Sequence, residues 1–280
     1  MIRILLPTDF SDNSWNAISY ALQLFKDEHC TFTLLNTYTP IIYQLESAEL
    51  GTAQFGLEDA MREASRNGLD KLVSRISKEY DNPKHTIASL SSFNTITEEI
   101  RELYDGNMMD MIIMGTQGAS GLKEILFGSN AIHVINKAKC PVLVVPSEYA
   151  YEAPHEILFP TDYLINFEER HVQTITKIAR LFGARTNVMH VSTSVDLTPE
   201  QKENQDRLKE LIKGTSHLFY DVRNNQIPEA IAEFQVRHKI NLLAMINNKH
   251  SFFENLFFKS NIKHIGFHLN VPFLVIPSRI

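Results

Sequence analysis

The chain has 280 residues, a formal net charge of −6, 44% hydrophobic and 21% charged residues. That is an ordinary globular composition at a length that suggests about two domains. Residues 1–150 hold 12 Lys and Arg against 19 Asp and Glu, and residues 151–280 hold 15 against 14, so neither half offers the basic footprint of a nucleic-acid binder. No apolar run approaches the roughly 18 residues that span a bilayer, and "MIRILLPTDF" lacks the pattern of a signal peptide. A cytoplasmic protein with no nucleic-acid or membrane partner is expected. The two cysteines, Cys30 and Cys140, are far apart and form no C-x-x-C, so both are read as buried reduced thiols.

In chain order, short β-branched or apolar runs alternate with helical stretches. Strands are expected near Ile2–Pro7, Thr31–Tyr38, His85–Leu90, Met109–Met114 and Val142–Val145. Helices are expected near Ser14–Phe25, Leu57–Tyr80, Thr97–Leu103 and Asn130–Lys137, the third opened by the capping-box signature "TITE" at Thr95–Glu98. The stretch Ile41–Gly56 is left as a short capping helix, a dimer contact or a loop. The pattern then repeats: "EILFP", "RTNVMHV", "SHLFYDV", "INLLAMI" and "PFLVIP" are the strands of a second copy. Pro7-Thr8-Asp9 recurs as Pro160-Thr161-Asp162, 153 positions on, and Pro141 of "CPVLVVPS" recurs as Pro272 of "VPFLVIPS", 131 on. Two domains follow, 1–148 and 153–280. Strand–helix alternation with continuously apolar strands predicts an α/β fold, each domain a five-stranded parallel sheet flanked by helices.

Ligands of such sheets sit beyond the carboxyl ends of the strands, where strand order reverses. Pro7-Thr8-Asp9, Asn36-Thr37-Tyr38 and Met114-Gly115 would converge there. The last opens "GTQGASGLKEILFGSN", which holds four of the chain's 11 glycines. This stretch reads as a flexible loop or as a phosphate cradle. For the cradle, glycines admit close backbone approach, and a helix start at Gly128-Ser129-Asn130 offers unpaired N–H groups and the positive end of its dipole. It is not a Walker A loop, because no Gly-Lys-Ser/Thr follows at the required spacing. Asp9, a carboxylate, suits a nucleoside better than a phosphate.

Gly115-x-x-Gly118, nine residues, then Gly128-Ser129 is similar to the G-x2-G-x9-G-(S/T) motif of the universal stress protein family. "LLPTDFS" and "CPVLVVP" resemble that family too, over two tandem Rossmann-like (adenine nucleotide α-hydrolase-like) domains. The resemblance implies an adenine and ribose near Pro7, Thr8, Asp9, Thr37, Met114 and Gly115, and phosphates against Gly118, Gly128, Ser129 and Asn130. It implies ATP, or ADP or AMP, with Mg²⁺. It also implies a homodimer and a pseudo-dimer of domains within the chain, paired through Val142–Val145 and Phe273–Ile276.

In the second copy Gly115, Gly118, Gly121 and Gly128 become Ile246, Lys249, Phe252 and Lys259, leaving Ser260 and Asn261. One nucleotide site, in the first domain, is therefore expected. The favoured function is a nucleotide-dependent stress-response sensor or interaction module with unknown protein partners. A slow ATPase or autophosphorylating enzyme, with Ser129 the nearest hydroxyl, and a nucleotide-free dimerising scaffold remain alternatives. No nucleophile, base and orienting acid stand together, so no catalytic or metal-ligating residue is assigned. "SFFENLFF" at Ser251–Phe258 is core or a partner patch, and Trp15 a packing residue.

Overall fold

In the computed structural model, the described residues are 1–39, 51–116, 127–192, 196–223, 227–248 and 270–278, without the side chains of 51–55. The chain divides into two compact units, Met1–Glu148 and Tyr149–Ile280.

The first unit runs β1 (Ile2–Pro7), α1 (Asp12–Leu24), β2 (Cys30–Thr37), α2 (Gly51–Glu79), β3 (His85–Ser92), α3 (Ile96–Asp105), β4 (Met111–Gly115), α4 (Ser129–Lys137) and β5 (Val142–Val145). The central strands β1, β4 and β5 are apolar and buried along nearly their whole length, as strands covered on both faces must be. α1 starts where Ser11 Oγ accepts from Ser14 N, and it buries Ala17, Ile18, Ala21 and Leu22 on one side, an amphipathic stripe. All pairings are parallel, in the order β3-β2-β1-β4-β5. Strand order reverses at β1, so a crevice opens between the carboxyl ends of β1 and β4. Leu5, Leu6, Phe32, Leu34, Ile112 and Val144 form the centre of the core.

The second unit runs β6 (Glu156–Pro160), α5 (Glu169–Phe182), β7 (Arg185–Ser192), α6 (Pro199–Ile212), β8 (His217–Arg223), α7 (Ile227–Arg237), β9 (Leu242–Asn247) and β10 (Phe273–Pro277). Its parallel strands follow the order β10-β9-β6-β7-β8, with the matching reversal at β6. Each unit is thus a five-stranded parallel sheet flanked by helices. Cys30 and Cys140 are both buried and neither is in a disulfide, and burial pushes the Cys140 thiol up to about 12.

Two local expectations needed correction. α2 begins at Gly51, not Leu57, because a glycine inside a helix costs only about 1 kcal/mol and Gly56 does not stop it. Of the stretch Ile41–Gly56, residues 41–50 lie outside the described residues. The "TITE" box is only half closed: Thr95 Oγ1 accepts from Glu98 N, but Thr95 N donates to Asn94 Oδ1 and Arg101 takes the Glu98 carboxylate. An arginine one turn on competed for the same carboxylate. A box does close at α6, where Thr198 and Gln201 cap each other's backbone on either side of Pro199.

Candidate functional site

Beyond β1 the chain makes a tight turn held by its own side chains. Thr8 Oγ1 accepts from Phe10 N at 3.0 Å. Asp9 Oδ1 accepts from Ser11 N at 3.1 Å and from Ser11 Oγ at 2.6 Å. Short polar side chains bonding two residues on is what Ser, Thr and Asp do in turns. The turn forces Phe10 to φ +66°, a left-handed geometry that is costly for a bulky residue. Its ring lies against α2 at Gly68, where a β-carbon would come within 2.5 Å of it. Thr8 Oγ1 also meets Ser14 Oγ at 3.0 Å, and Ser14 Oγ donates to Ser11 O at 2.8 Å.

Between this turn and the end of β4 lies a cleft of about 240 Å³. Pro7, Thr8, Asp9, Thr37, Met114, Gly115, Gly128, Ser129 and Asn130 all line it. Gly118 lies outside the described residues. Sequence reasoning missed Ser14, Leu35, Ile96, Thr116 and Ala131 as lining residues, and brought Asn36 to the strand ends without giving it a role. Asn36 and Thr116 adjoin predicted residues on β2 and β4, a signal that was available. Ile96 reaches the cleft through the β3–α3 connection, which no local pattern announces.

The two helices that start near the cleft differ. α1 is capped by Ser11 and carries Asp12 in its first turn. α4 is preceded by Gly128, which offers no capping side chain, and no acid stands in its first turn. Its first N–H groups and dipole are therefore suited to an anion at the cleft wall formed by Gly128, Ser129 and Asn130. Gly128 itself has φ −64°, so its value there is space, not backbone freedom.

Gly115 plays a different part from the one expected. A β-carbon there would lie 2.7 Å from Asn13 Nδ2 and 3.1 Å from Asn13 O. The missing side chain makes room for the first turn of α1, and only through that does it shape the cleft. Among the described residues no group of three His, Cys, Asp or Glu could hold a metal ion. A wider groove, about 660 Å³, runs along α2 from Asn67 to Glu79. One helix supplies every residue of its lining, so no chemistry converges there. Trp15 packs at the foot of that helix, with the Arg75 guanidinium 3.7 Å from its ring centre.

The second unit repeats the turn but not the residues around it. Tyr163 N donates to Thr161 Oγ1 at 3.1 Å, Leu164 N to Asp162 Oδ1 at 3.0 Å, and Tyr163 takes φ +56°. Ser11, however, is replaced by exposed Leu164, and Ser14 by buried Phe167. The counterpart of Asp12 is Ile165, yet α5 starts only at Glu169. Ile246 stands on β9 where Gly115 stands on β4, so a branched side chain replaces the glycine there. Tyr163 is fully buried beneath α6. Asn204 Nδ2 donates to its carbonyl at 2.8 Å, and its ring centre is 5.1 Å from that of His190. Burial pushes its hydroxyl up to about 12. Lys249, Phe252, Lys259, Ser260, Asn261 and the Ser251–Phe258 stretch lie outside the described residues.

Comparison with known proteins gives the following. The model of the family described as "Usp: Universal stress protein family" matches residues 1–146. Universal stress protein MJ0531 of Methanocaldococcus jannaschii is 32% identical over 148 residues, covering 51% of this chain and 81% of the relative. Universal stress protein MJ0577 of the same organism is 30% identical over 160 residues, 51% of this chain and 93% of the relative. The crystal structure of a universal stress protein from Archaeoglobus fulgidus superposes with a TM-score of 0.71 at 19% identity, over 98% of this chain and 96% of that one. At that identity the likeness speaks for the fold alone.

Proposed function

The chain belongs to the universal stress protein family, and from that premise we propose that its N-terminal unit binds one adenine nucleotide, ATP first of all. The protein then acts as a nucleotide-dependent stress-response sensor or interaction module. The observation that carries this reading is the polarity of the cleft at the β1/β4 crevice. At one end stand the uncapped N–H groups of α4, with no acid in its first turn, a setting that favours phosphate. At the other end stand Thr8, Asp9, Asn36 and Thr37, with Leu35, Ile96 and Met114 as apolar walls for a base. The described lining encloses slightly less than the roughly 300–1,000 Å³ of common small-molecule sites. It fits a nucleoside with its phosphates directed at Gly128, Ser129 and, by the resemblance, Gly118. Mg²⁺ would be held by phosphate oxygens and water, as is usual for this ion, since Asp9 is the only acid among the described lining residues. The second unit is read as a partner or structural domain, because Ile246 stands in place of Gly115 and α5 starts only at Glu169, past the counterpart of Asp12.

The test is the nucleotide content of the purified protein after acid release, followed by calorimetric titration with Mg-ATP. About one nucleotide per chain is expected, weakened at least about tenfold by Gly128→Ile, whose side chain would enter the phosphate end. Two per chain would contradict the reading of the second unit. None would move the weight to a nucleotide-free scaffold.

A further inference from the structure

We propose that Asn36 reads the sugar of the bound nucleotide, its side-chain amide oxygen accepting a hydrogen bond from a ribose hydroxyl. This rests on the nucleotide reading above. Asn36 ends β2 beside Pro7 and Thr8 and lines the cleft. Its Nδ2 donates to the Thr8 carbonyl at 2.8 Å. A carbonyl can only accept, so this bond fixes which way the amide faces: nitrogen toward Thr8, oxygen away from it. Among the described residues Oδ1 receives no hydrogen bond. The side chain is half-buried and its orientation is set before any ligand arrives, which is how a recognition group avoids an ordering cost.

The chemistry of the surroundings narrows the ligand group. Asp9, on the other side of Thr8, already spends Oδ1 on Ser11. Asn36 retains an acceptor and one N–H. A hydroxyl, which both donates and accepts, can use both; an exocyclic amine can use only the oxygen. The phosphate end is fixed at α4, and the sugar is the part of a nucleotide joined directly to its phosphates. The second unit supplies an internal contrast. In the β7 position that pairs next to Pro160 and Met189 stands His190, buried against Tyr163 and 3.5 Å from Asp221, so the strand residue there is an imidazole and not an amide.

The experiment titrates the full chain with Mg-ATP, its 2′-deoxy and 3′-deoxy forms, and inosine triphosphate. The wild type is expected to bind one deoxy form about tenfold more weakly than ATP, the effect of one lost hydrogen bond to a preset partner. In Asn36→Leu that preference should fall to near unity, with Asn36→Ala as the second variant should the leucine chain fail to fold. Losing the tie to Thr8 would by itself weaken ATP and its deoxy forms alike, so erasure of the preference is the signature. Equal binding of all three by the wild type overturns the assignment. So does a preference that persists in both variants, which would make Asp9 the acceptor, or a variant that loses discrimination against inosine triphosphate instead. Absence of any nucleotide binding would fail the nucleotide reading itself and this assignment with it.

Discussion

The two units share strand order and even the side-chain-held turn after their first strands, yet the residues that line the cleft of the first are not repeated around the turn of the second. The difference traces to a few positions. Where β4 ends in Gly115, the first turn of α1 sits against the backbone and Ser11 caps it. Where β9 carries Ile246, the helix starts at Glu169 and the intervening chain is filled by Phe167 and Tyr163. One unit uses the residue after Asp9 as a half-exposed ring on α2; the other drives it into the core under α6. A duplicated fold can thus keep its turn while the residues around it change, because the turn is satisfied locally and its surroundings are not.

The sharpest way to break the comparison is to truncate the two rings. Tyr163→Ala should cost about 3–5 kcal/mol, as for a buried aromatic. Phe10→Ala should cost much less, because that ring is 39% exposed. Denaturant unfolding of the two variants, followed separately for each unit, measures the gap; equal losses would contradict the inward and outward assignments. Next in size is Gly115→Ile, which imports the second unit's residue. Overpacking against Asn13 should destabilise by about 1–3 kcal/mol. Nucleotide affinity should fall with it, since the β1 turn and α1 are moved together. A variant that binds Mg-ATP like the wild type would show that α1 does not hold the cleft open.

Most of the fold was legible in the sequence because its signals are local. "IRILLP" and "VLVV" read as buried strands from runs of apolar residues, and the repeat of Pro-Thr-Asp and of the final strand marked the duplication. The site was legible as a spacing, and the described part of that spacing does gather at one crevice. What stayed hidden depends on distant partners. Nothing near Gly115 says that Asn13 will lie on it, nothing near Gly68 says that Phe10 will, and Ile96 lies 85 residues from Ser11 at the end of the β1 turn. The half-closed box at Thr95 failed for a subtler reason: Arg101, one turn on, bids for the same carboxylate.

A smaller effect compares the amino ends of the two sheets. Desolvation pushes the Asp110 carboxyl up, but hydrogen bonds and charge from Arg3 outweigh it and hold it below the ordinary range. Glu156 is likewise raised by desolvation and lowered further by Arg185 and Asn187. Both folded values lie below the unfolded ones. Their stabilisation is therefore complete above the ordinary carboxylate range, and it is lost as pH falls through about 4 and below. The Glu156 side chain is 15% exposed and that of Asp110 39%, so acid should weaken the second unit more through this pair. Glu156→Gln should flatten the fall in melting temperature between neutral and acid pH more than Asp110→Asn does. The reverse order would sink the argument from burial.

The least expected change in stability carries the finest distinction. Gly68→Ala puts a β-carbon 2.5 Å from the tip of the Phe10 ring, which must move. Alanine in place of glycine inside α2 gains about 1 kcal/mol of helix propensity, and the half-exposed ring can swing outward at modest cost. The two terms should cancel to within about 0.5 kcal/mol. Phe10 adjoins Asp9, however, and both belong to the turn held by Thr8 and Ser11. Displacing the ring should therefore disturb the nucleoside end of the cleft without unfolding anything. An unchanged melting temperature with a Mg-ATP affinity lowered about two- to threefold would tie α2 to the site through that ring. If stability falls by more than about 2 kcal/mol, Phe10 is locked into the Gly68 notch by more than this contact. If affinity does not move at all, the turn is rigid enough to hold Asp9 whatever happens to the ring beside it.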